Sequence, residues 1–466
     1  MMGISGIRKA IGATALAVGL VLNEWVLAAL FSADGSFWLT TRIAIWGFDL
    51  GMIAIGLLLL FAGRQLLVNL FFSIVLTAVL LITLDLIARP LLRDKLYYRP
   101  EGVYKHRWPE MPALARYDAK IRYSGINYGD LAAVSGLREA RDPRPVEFIT
   151  DDYGFRNATY DTTKALDLIM LGDSFGAGVG TTQENTWCSL LASKYGLHCY
   201  NLSIDGTGPW QEYMTLKLEL PRLHCRPGTT VVWALYVGND LENPEGHDPQ
   251  LAQRNGWLGR MKVRAKSFFR RSPLKLFFDR ILAIANPSGA ETGVVSKRFL
   301  DGRDVLFFKP FEAASKRTSE QVMKYRDFSV YESVLDSMRV LAEREQLRIA
   351  VVIIPTKEEA YGWLLHDQSP WTSDKTPSAF AAITDEECRQ RGFSVLDMKS
   401  DLIDSSSQAF VSTGKLLWWH DDIHWNERGN ALAADLVYNR FFKGQSPASE
   451  FDPLHLARKS APKSRS

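Results

Sequence analysis

The chain has 466 residues, 47% of them hydrophobic and 23% charged, with a formal net charge of +3. That length suits two or three structural units, and the near balance of charge gives no signature of a nucleic-acid partner, which is not expected. The four cysteines, Cys188, Cys199, Cys225 and Cys388, show neither CxxC nor Cys/His ligand spacing. No metal site is therefore expected, and a chain this large needs no disulfide framework, although one disulfide would suit an exported domain.

Apolar residues concentrate at the N-terminus, in the stretches 11–31, 43–63 and 66–88. Each is long enough to cross a bilayer's hydrocarbon core, which takes roughly 20 residues, and together they predict a multi-pass membrane anchor of three transmembrane helices over 1–88. Arg8 and Lys9 ahead of the first stretch also suit a signal peptide, but no small-residue cleavage site accompanies it and two more apolar stretches follow. Arg8, Lys9 and Arg64 favour an N-terminus inside, so that three crossings put everything beyond Ala88 outside the cytoplasm. Arg89, Arg93, Lys95 and Arg99 pull the other way. Each stretch carries one carboxylate, Glu24, Asp49 or Asp85, which costs a few kcal/mol in hydrocarbon and calls for a partner such as Arg42 or Arg89.

Residues 89–165, rich in Arg, Tyr and Pro and punctuated by Asp142-Pro143 and Asp152-Tyr153-Gly154, read as a linker packing on the next domain. From 166 onward short apolar runs at 166–171, 198–204, 230–237, 348–354 and 393–397 alternate with helical stretches, which predicts an α/β domain with a parallel sheet over 166–445. An insertion at about 241–328 holds a basic, aromatic-interleaved stretch from Arg254 to Arg280, with Trp257, Phe268, Phe269, Phe277 and Phe278. It reads as the solvated face of a cap over the site, with an anionic membrane surface as the other reading. The polar tail 446–466 is expected to be disordered.

The chemistry gathers at two places. Gly172-Asp173-Ser174-Phe175-Gly176 directly follows the first strand of the α/β domain, where open sheets bind ligands and where small neighbours let a carbonyl approach a serine. A serine hydroxyl needs a base to take its proton, and the base needs a carboxylate to orient it. His420-Asp421-Asp422-Ile423-His424-Trp425-Asn426 offers both. The predicted triad is Ser174, His424 and Asp421, with Asp422 as the competing orienter and Asn426 as the N-cap of the helix that follows. The pentapeptide alone also fits the nucleophile elbow of α/β-hydrolases, but there the serine follows several strands and its acid lies far from the histidine.

With these blocks in place, the region 166–442 resembles the SGNH hydrolase superfamily. The resemblance rests on Gly172-Asp173-Ser174, on Asn201-Leu202-Ser203-Ile204-Asp205-Gly206, on Gly238-Asn239-Asp240 and on Asp421-x-x-His424, in that order. It implies a three-layer α/β/α sandwich, here preceded by the three predicted transmembrane helices, and an oxyanion hole made by the N–H groups of Ser174 and Gly206 and the side-chain amide of Asn239. It also implies ester hydrolysis through an acyl-serine with no cofactor, acting on an acylated glycan or a lipid-linked ester among membrane lipids. Asp422-Ile423-His424-Trp425 and Pro355-Thr356-Lys357 look like features of the alginate O-acetyltransferase branch, so O-acetylation of a polysaccharide is the alternative. A non-catalytic glycan-binding envelope protein is the further one.

Overall fold

The computed structural model describes residues 4–21, 23–31, 39–108, 111, 113–158, 160–241, 272–275, 293–299 and 302–444. The basic stretch 254–280, apart from 272–275, and the tail 446–466 lie outside the described residues. The chain divides into two compact units, Met1–Ala88 and Arg89–Ser466.

The first unit is helical: α1 (Ile4–Val21), α2 (Glu24–Phe31), α3 (Leu39–Phe61) and the start of α4 (Arg64–Leu96). Helices α1 and α3 approach closely because glycines face the contact. A Cβ on Gly12 would lie 3.0 Å from the Leu59 Cβ, and one on Gly56 would lie 2.8 Å from the Leu16 backbone nitrogen. Glu24 finds its partner in Arg42, whose Nε is 2.6 Å away, and accepts a second bond from Trp46 Nε1 at 2.7 Å. The expectation of three membrane spans is not met. Among the described residues one helical segment, Val68–Arg89, is long and apolar enough to cross a membrane, while Ile45–Phe61 is apolar but shorter. The predicted stretch 11–31 fails because the helix breaks at Asn23, which accepts the Val26 N–H at 3.2 Å and so starts α2 afresh. The predicted stretch 43–63 lies in a helix that opens on Leu39-Thr40-Thr41-Arg42 and carries Asp49.

The second unit is built on a five-stranded parallel sheet. Ahead of it, the segment read as a linker forms two antiparallel pairs, β1 (Lys105–Arg107) with β2 (Ala115–Tyr117) and β3 (Arg122–Asn127) with β4 (Arg144–Ile149), and the helix α5 (Asp130–Ser135). The sheet strands are β5 (Leu166–Leu171), β6 (Cys199–Asn201), β7 (Cys225–Tyr236), β10 (Arg348–Ile354) and β11 (Ser394–Asp397), and the hairpin β8 (Val294–Arg298) and β9 (Asp304–Phe308) stands apart. Their order is β11-β10-β7-β5-β6. All five predicted strands are present and lie in one sheet.

Side-chain alternation explains the layers. Ile169, Leu171, Val231, Trp233, Leu235, Val351 and Ile353 face the helices α7 (Pro209–Glu219), α8 (Phe328–Arg344) and α9 (Ala379–Gln390), together with Tyr117, Tyr123 and Phe148 of the preceding segment. Leu168, Met170, Val232, Ala234, Val352 and Ile354 face α6 (Trp187–Tyr195), α10 (Lys399–Thr413) and α11 (Glu427–Phe441). With both faces covered, the strands read as continuous apolar runs, each large side chain contributing about 1.5–3 kcal/mol on burial. The chain leaves β5 for β6 on one side and returns to β7 on the other. The C-terminal end of β5 is therefore the topological switch point where α/β sheets open a crevice.

Candidate active site

Ser174 occupies that switch point. After β5, Gly172 adopts φ +155°, and a Cβ there would stand 2.8 Å from the Ala234 Cβ, so the sharp turn into the serine requires a glycine. The loop that follows is held from below by the buried Arg156, which donates to the carbonyls of Ala177, Gly178 and Thr181 at 3.0, 2.6 and 2.6 Å. Thr186 caps α6, its side chain accepting the Ser189 N–H.

The Ser174 Oγ lies 2.7 Å from His424 Nε2, and His424 Nδ1 lies 2.7 Å from Asp422 Oδ1. Serine, histidine and aspartate thus form a continuous hydrogen-bonded line in which Nδ1–H donates to the carboxylate and Nε2 accepts from the serine hydroxyl. All are buried, with exposures of 6% for Ser174, 2% for His424 and 0% for Asp422. The backbone N–H of Ser174 meets no acceptor among the described residues.

The carboxylate in this line is Asp422, not the expected Asp421. Asp421 makes no contact with the histidine ring and accepts instead the N–H groups of Gly129 and Asp142 at 2.6 and 2.9 Å and Arg144 Nη1 at 2.8 Å. The cause is local. Asp421 and Asp422 share the Arg144 guanidinium but take different further partners, and Asp422 is the one that returns to its own histidine, also accepting the His424 N–H at 3.2 Å.

Of the expected oxyanion donors, Gly206 sits after β6 in the left-handed region at φ +68°. Its loop is tied to the nucleophile turn by the bond from Ile204 N–H to the Gly172 carbonyl, 3.1 Å, and its neighbour Asp205 is bound by Lys105 Nζ at 2.9 Å. Asn239 lies in the turn after β7, half-buried, with its Oδ1 unbonded among the described residues. Both loops leave strands that flank β5.

No protein-family model matches the chain, and no curated protein matches it. Among solved structures it is similar to an acetyl xylan esterase, AlAXEase, at 11% identity and a TM-score of 0.30, covering 59% of this chain and 99% of that one. It is also similar to protein YXIM of Bacillus subtilis, at 10% identity and a TM-score of 0.32, covering 69% of this chain and 74% of that one.

Several residues at the site escaped sequence reasoning, and most come from 89–165. Arg99 Nη2 is 2.8 Å from both Asp422 oxygens. Arg144 Nη2 donates to Asp422 Oδ2 at 2.5 Å, and its Nε donates to the Gly180 carbonyl at 3.2 Å. Burial would raise the Asp422 pKa, but Arg99, His424 and Arg144 together hold it well below the usual carboxylate range. Asp130 stands 4.0 Å from His424 Nδ1. Burial and the charge of Asp422 push its pKa up to about 7. Asp130, Asp422 and His424 lie close enough to share a cation. Their donor atoms are spoken for, however, because Asp422 already faces two guanidinium groups and His424 Nδ1 faces Asp422.

Lys357 is fully buried, with its ammonium among the carbonyl oxygens of Leu306, Trp419, His420 and Asp422 at 2.8, 2.8, 3.1 and 3.0 Å, so that its three N–H groups are shared over four acceptors. Burial lowers its pKa to about 8. Its part is to hold the 419–422 turn, and so the orientation of Asp422, from beneath. No sequence signal marks Arg99, Asp130 or Arg144, since each meets its partner across nearly 280 residues of chain or more.

Proposed function

We propose that the chain is a serine esterase of the SGNH type that works through an acyl-serine. The observation that supports this most directly is the line from Ser174 Oγ through His424 to Asp422, with 2.7 Å at each contact. His424 Nε2 takes the hydroxyl proton as Ser174 Oγ attacks the ester carbonyl carbon. The negative oxygen that develops is met by the Ser174 and Gly206 N–H groups and the Asn239 amide. Collapse breaks the ester bond, the proton on Nε2 goes to the leaving alkoxide, and the acyl group stays on Ser174. Water, deprotonated by His424, then releases the acid and frees the serine.

The favoured substrate is an acylated glycan or a related envelope ester, with the protein held at a membrane by a single crossing through Val68–Arg89. In this reading Arg64 stays inside and the residues beyond Arg89 lie outside the cytoplasm. Reporter fusions after Arg64 and after Ala88 should report opposite sides, and the same side for both would remove the crossing.

O-acyl transfer is the second reading, and one observation favours it: the carboxylate that meets His424 is two residues before it, and this Asp-x-His-Trp spacing resembles the alginate O-acetyltransferase branch. The two readings share every step to the acyl-serine and part at the acceptor. Mass spectrometry of products from p-nitrophenyl acetate, with and without oligosaccharide acceptors, decides between them. Free acetate alone supports hydrolysis, acetylated sugar supports transfer, and no turnover by folded protein removes both.

A further inference from the structure

We propose that Arg99 is a positioning residue for the reaction, acting through a single nitrogen on Asp422, whereas Arg144 braces the same carboxylate as a planar bracket. The proposal rests on the serine-ester reading above and adds to it a residue from outside the four sequence blocks.

The two arginines reach Asp422 differently. Arg99 Nη2 alone makes the contacts, 2.8 Å to Oδ1, 2.8 Å to Oδ2 and 3.0 Å to His424 Nδ1, with Asp130 Oδ2 at 3.7 Å. Because Nδ1–H points at Asp422, the short approach of Arg99 to Nδ1 sets N–H against N–H and is no hydrogen bond. Asp422 and Asp130 hold the guanidinium there against that repulsion. Its position is thus fixed by charge, and it in turn fixes the rotation of the Asp422 carboxylate that aims the imidazole. Arg144 instead spreads its nitrogens over the Gly180 and Asp142 carbonyls and the carboxylates of Asp421 and Asp422, with its guanidinium carbon 4.3 Å from the centre of the Trp419 ring. A compact ammonium can replace a point contact but not a fork.

The groups facing the Asp422–His424 pair are Arg99, Arg144 and Asp130 from the 89–165 segment, Ser174 from the nucleophile turn, and Asp205 beyond. Removing Arg99 takes one of two guanidinium partners from Asp422 and leaves the carboxylate held by Arg144 on Oδ2 and by His424 on Oδ1, less tightly fixed in rotation. A misplacement of about 1 Å in such a unit costs about 100-fold in turnover.

The experiment measures kcat and KM for p-nitrophenyl acetate in the full chain, normalised to the serine titrated by a fluorophosphonate, beside a thermal melt. Arg99→Ala should lower kcat by about 10- to 100-fold with KM within about two-fold, and added guanidinium ion should restore part of the loss. Arg99→Lys should recover to within about ten-fold of the parent, whereas Arg144→Lys should not. Arg99→Ala turning over like the parent, or Arg99→Lys no better than Arg99→Ala, overturns the proposal. If Arg99→Ala does not fold, Arg99→Gln replaces it, and failure of both to fold assigns Arg99 to stability and overturns the proposal as well. Parent protein that turns over no ester while folded sinks the esterase reading itself, an outcome distinct from an active parent matched by Arg99→Ala.

Discussion

The Asp422 carboxylate and the His424 imidazole meet at 2.7 Å although only one residue separates them in sequence. A contact this local needs a turn held from outside, and the Lys357 ammonium beneath the carbonyls of 419, 420 and 422 supplies it.

The first prediction separates the adjacent aspartates. Asp422→Asn should lower kcat for an activated ester by about 100- to 10,000-fold, because the amide favours the wrong imidazole tautomer. Asp421→Asn should leave kcat within about ten-fold and instead lower the melting temperature, since the buried Asp421 anchors Gly129, Asp142 and Arg144. Steady-state kinetics beside a melt distinguish the two. The reverse ranking would put the orienting carboxylate back at Asp421.

The second concerns close packing at the same turn. A Cβ on Gly129 would fall 1.8 Å from the Asp421 carbonyl oxygen, a backbone atom that also accepts the N–H groups of Leu131 and Ala132. Gly129→Ala should destabilise by about 1–3 kcal/mol or more. Gly136→Ala meets no atom within 4 Å and has only its left-handed φ of +73° against it, so it should cost about 1–2 kcal/mol. Chemical denaturation of both variants checks the order.

The third is a pH dependence. Glu212 is buried under the sheet, where its carboxylate accepts Trp233 Nε1 at 2.7 Å, and burial together with the charge of Asp173 raises its pKa to about 8. A carboxyl whose folded pKa lies above its unfolded value holds its proton more tightly when folded. Its presence therefore favours the fold at low pH and costs stability as pH rises from about 4.5 through about 8. Glu212→Gln keeps an acceptor for Trp233 and never ionises. The melting temperature of the variant relative to the parent should rise steadily between pH 5 and pH 8. A constant difference across that range would contradict the assignment.

These sites show what the sequence could and could not display. The buried strands were legible because apolar runs such as Val231 to Val237 have one explanation in a sheet covered on both faces. Ser174 and His424 were legible because a glycine-flanked serine after a strand and a His beside carboxylates carry their chemistry in their residue types. The choice between Asp421 and Asp422 was not, since it depends on which way two adjacent side chains leave one turn. Arg99 and Arg144 were hidden for another reason: in an aperiodic segment rich in Arg and Pro, one arginine among many looks like a surface or membrane-flanking charge until the fold sets it beside a carboxylate far along the chain. The membrane stretches were over-read because mean apolarity does not register a break at Asn23 or the polar opening of α3.

The fourth prediction tests the oxyanion assignment. Asn239 follows a buried strand that gives its amide a rigid platform, and loss of one such donor costs about 100- to 1,000-fold in turnover with little change in ground-state binding. Asn239→Ala should lower kcat by that factor and leave KM nearly unchanged. Unchanged kcat in well-folded protein would take Asn239 out of the mechanism.

The central claim is that Ser174 is a nucleophile activated by His424, and a fluorophosphonate tests it without knowledge of the natural ester. The full chain in detergent is treated with the probe, digested and analysed by mass spectrometry beside Ser174→Ala and His424→Ala. The account predicts one phosphonyl group per chain, on Ser174, absent from Ser174→Ala and slowed by several orders of magnitude in His424→Ala. Folded parent protein that stays unlabelled, or labels at another residue, would contradict it.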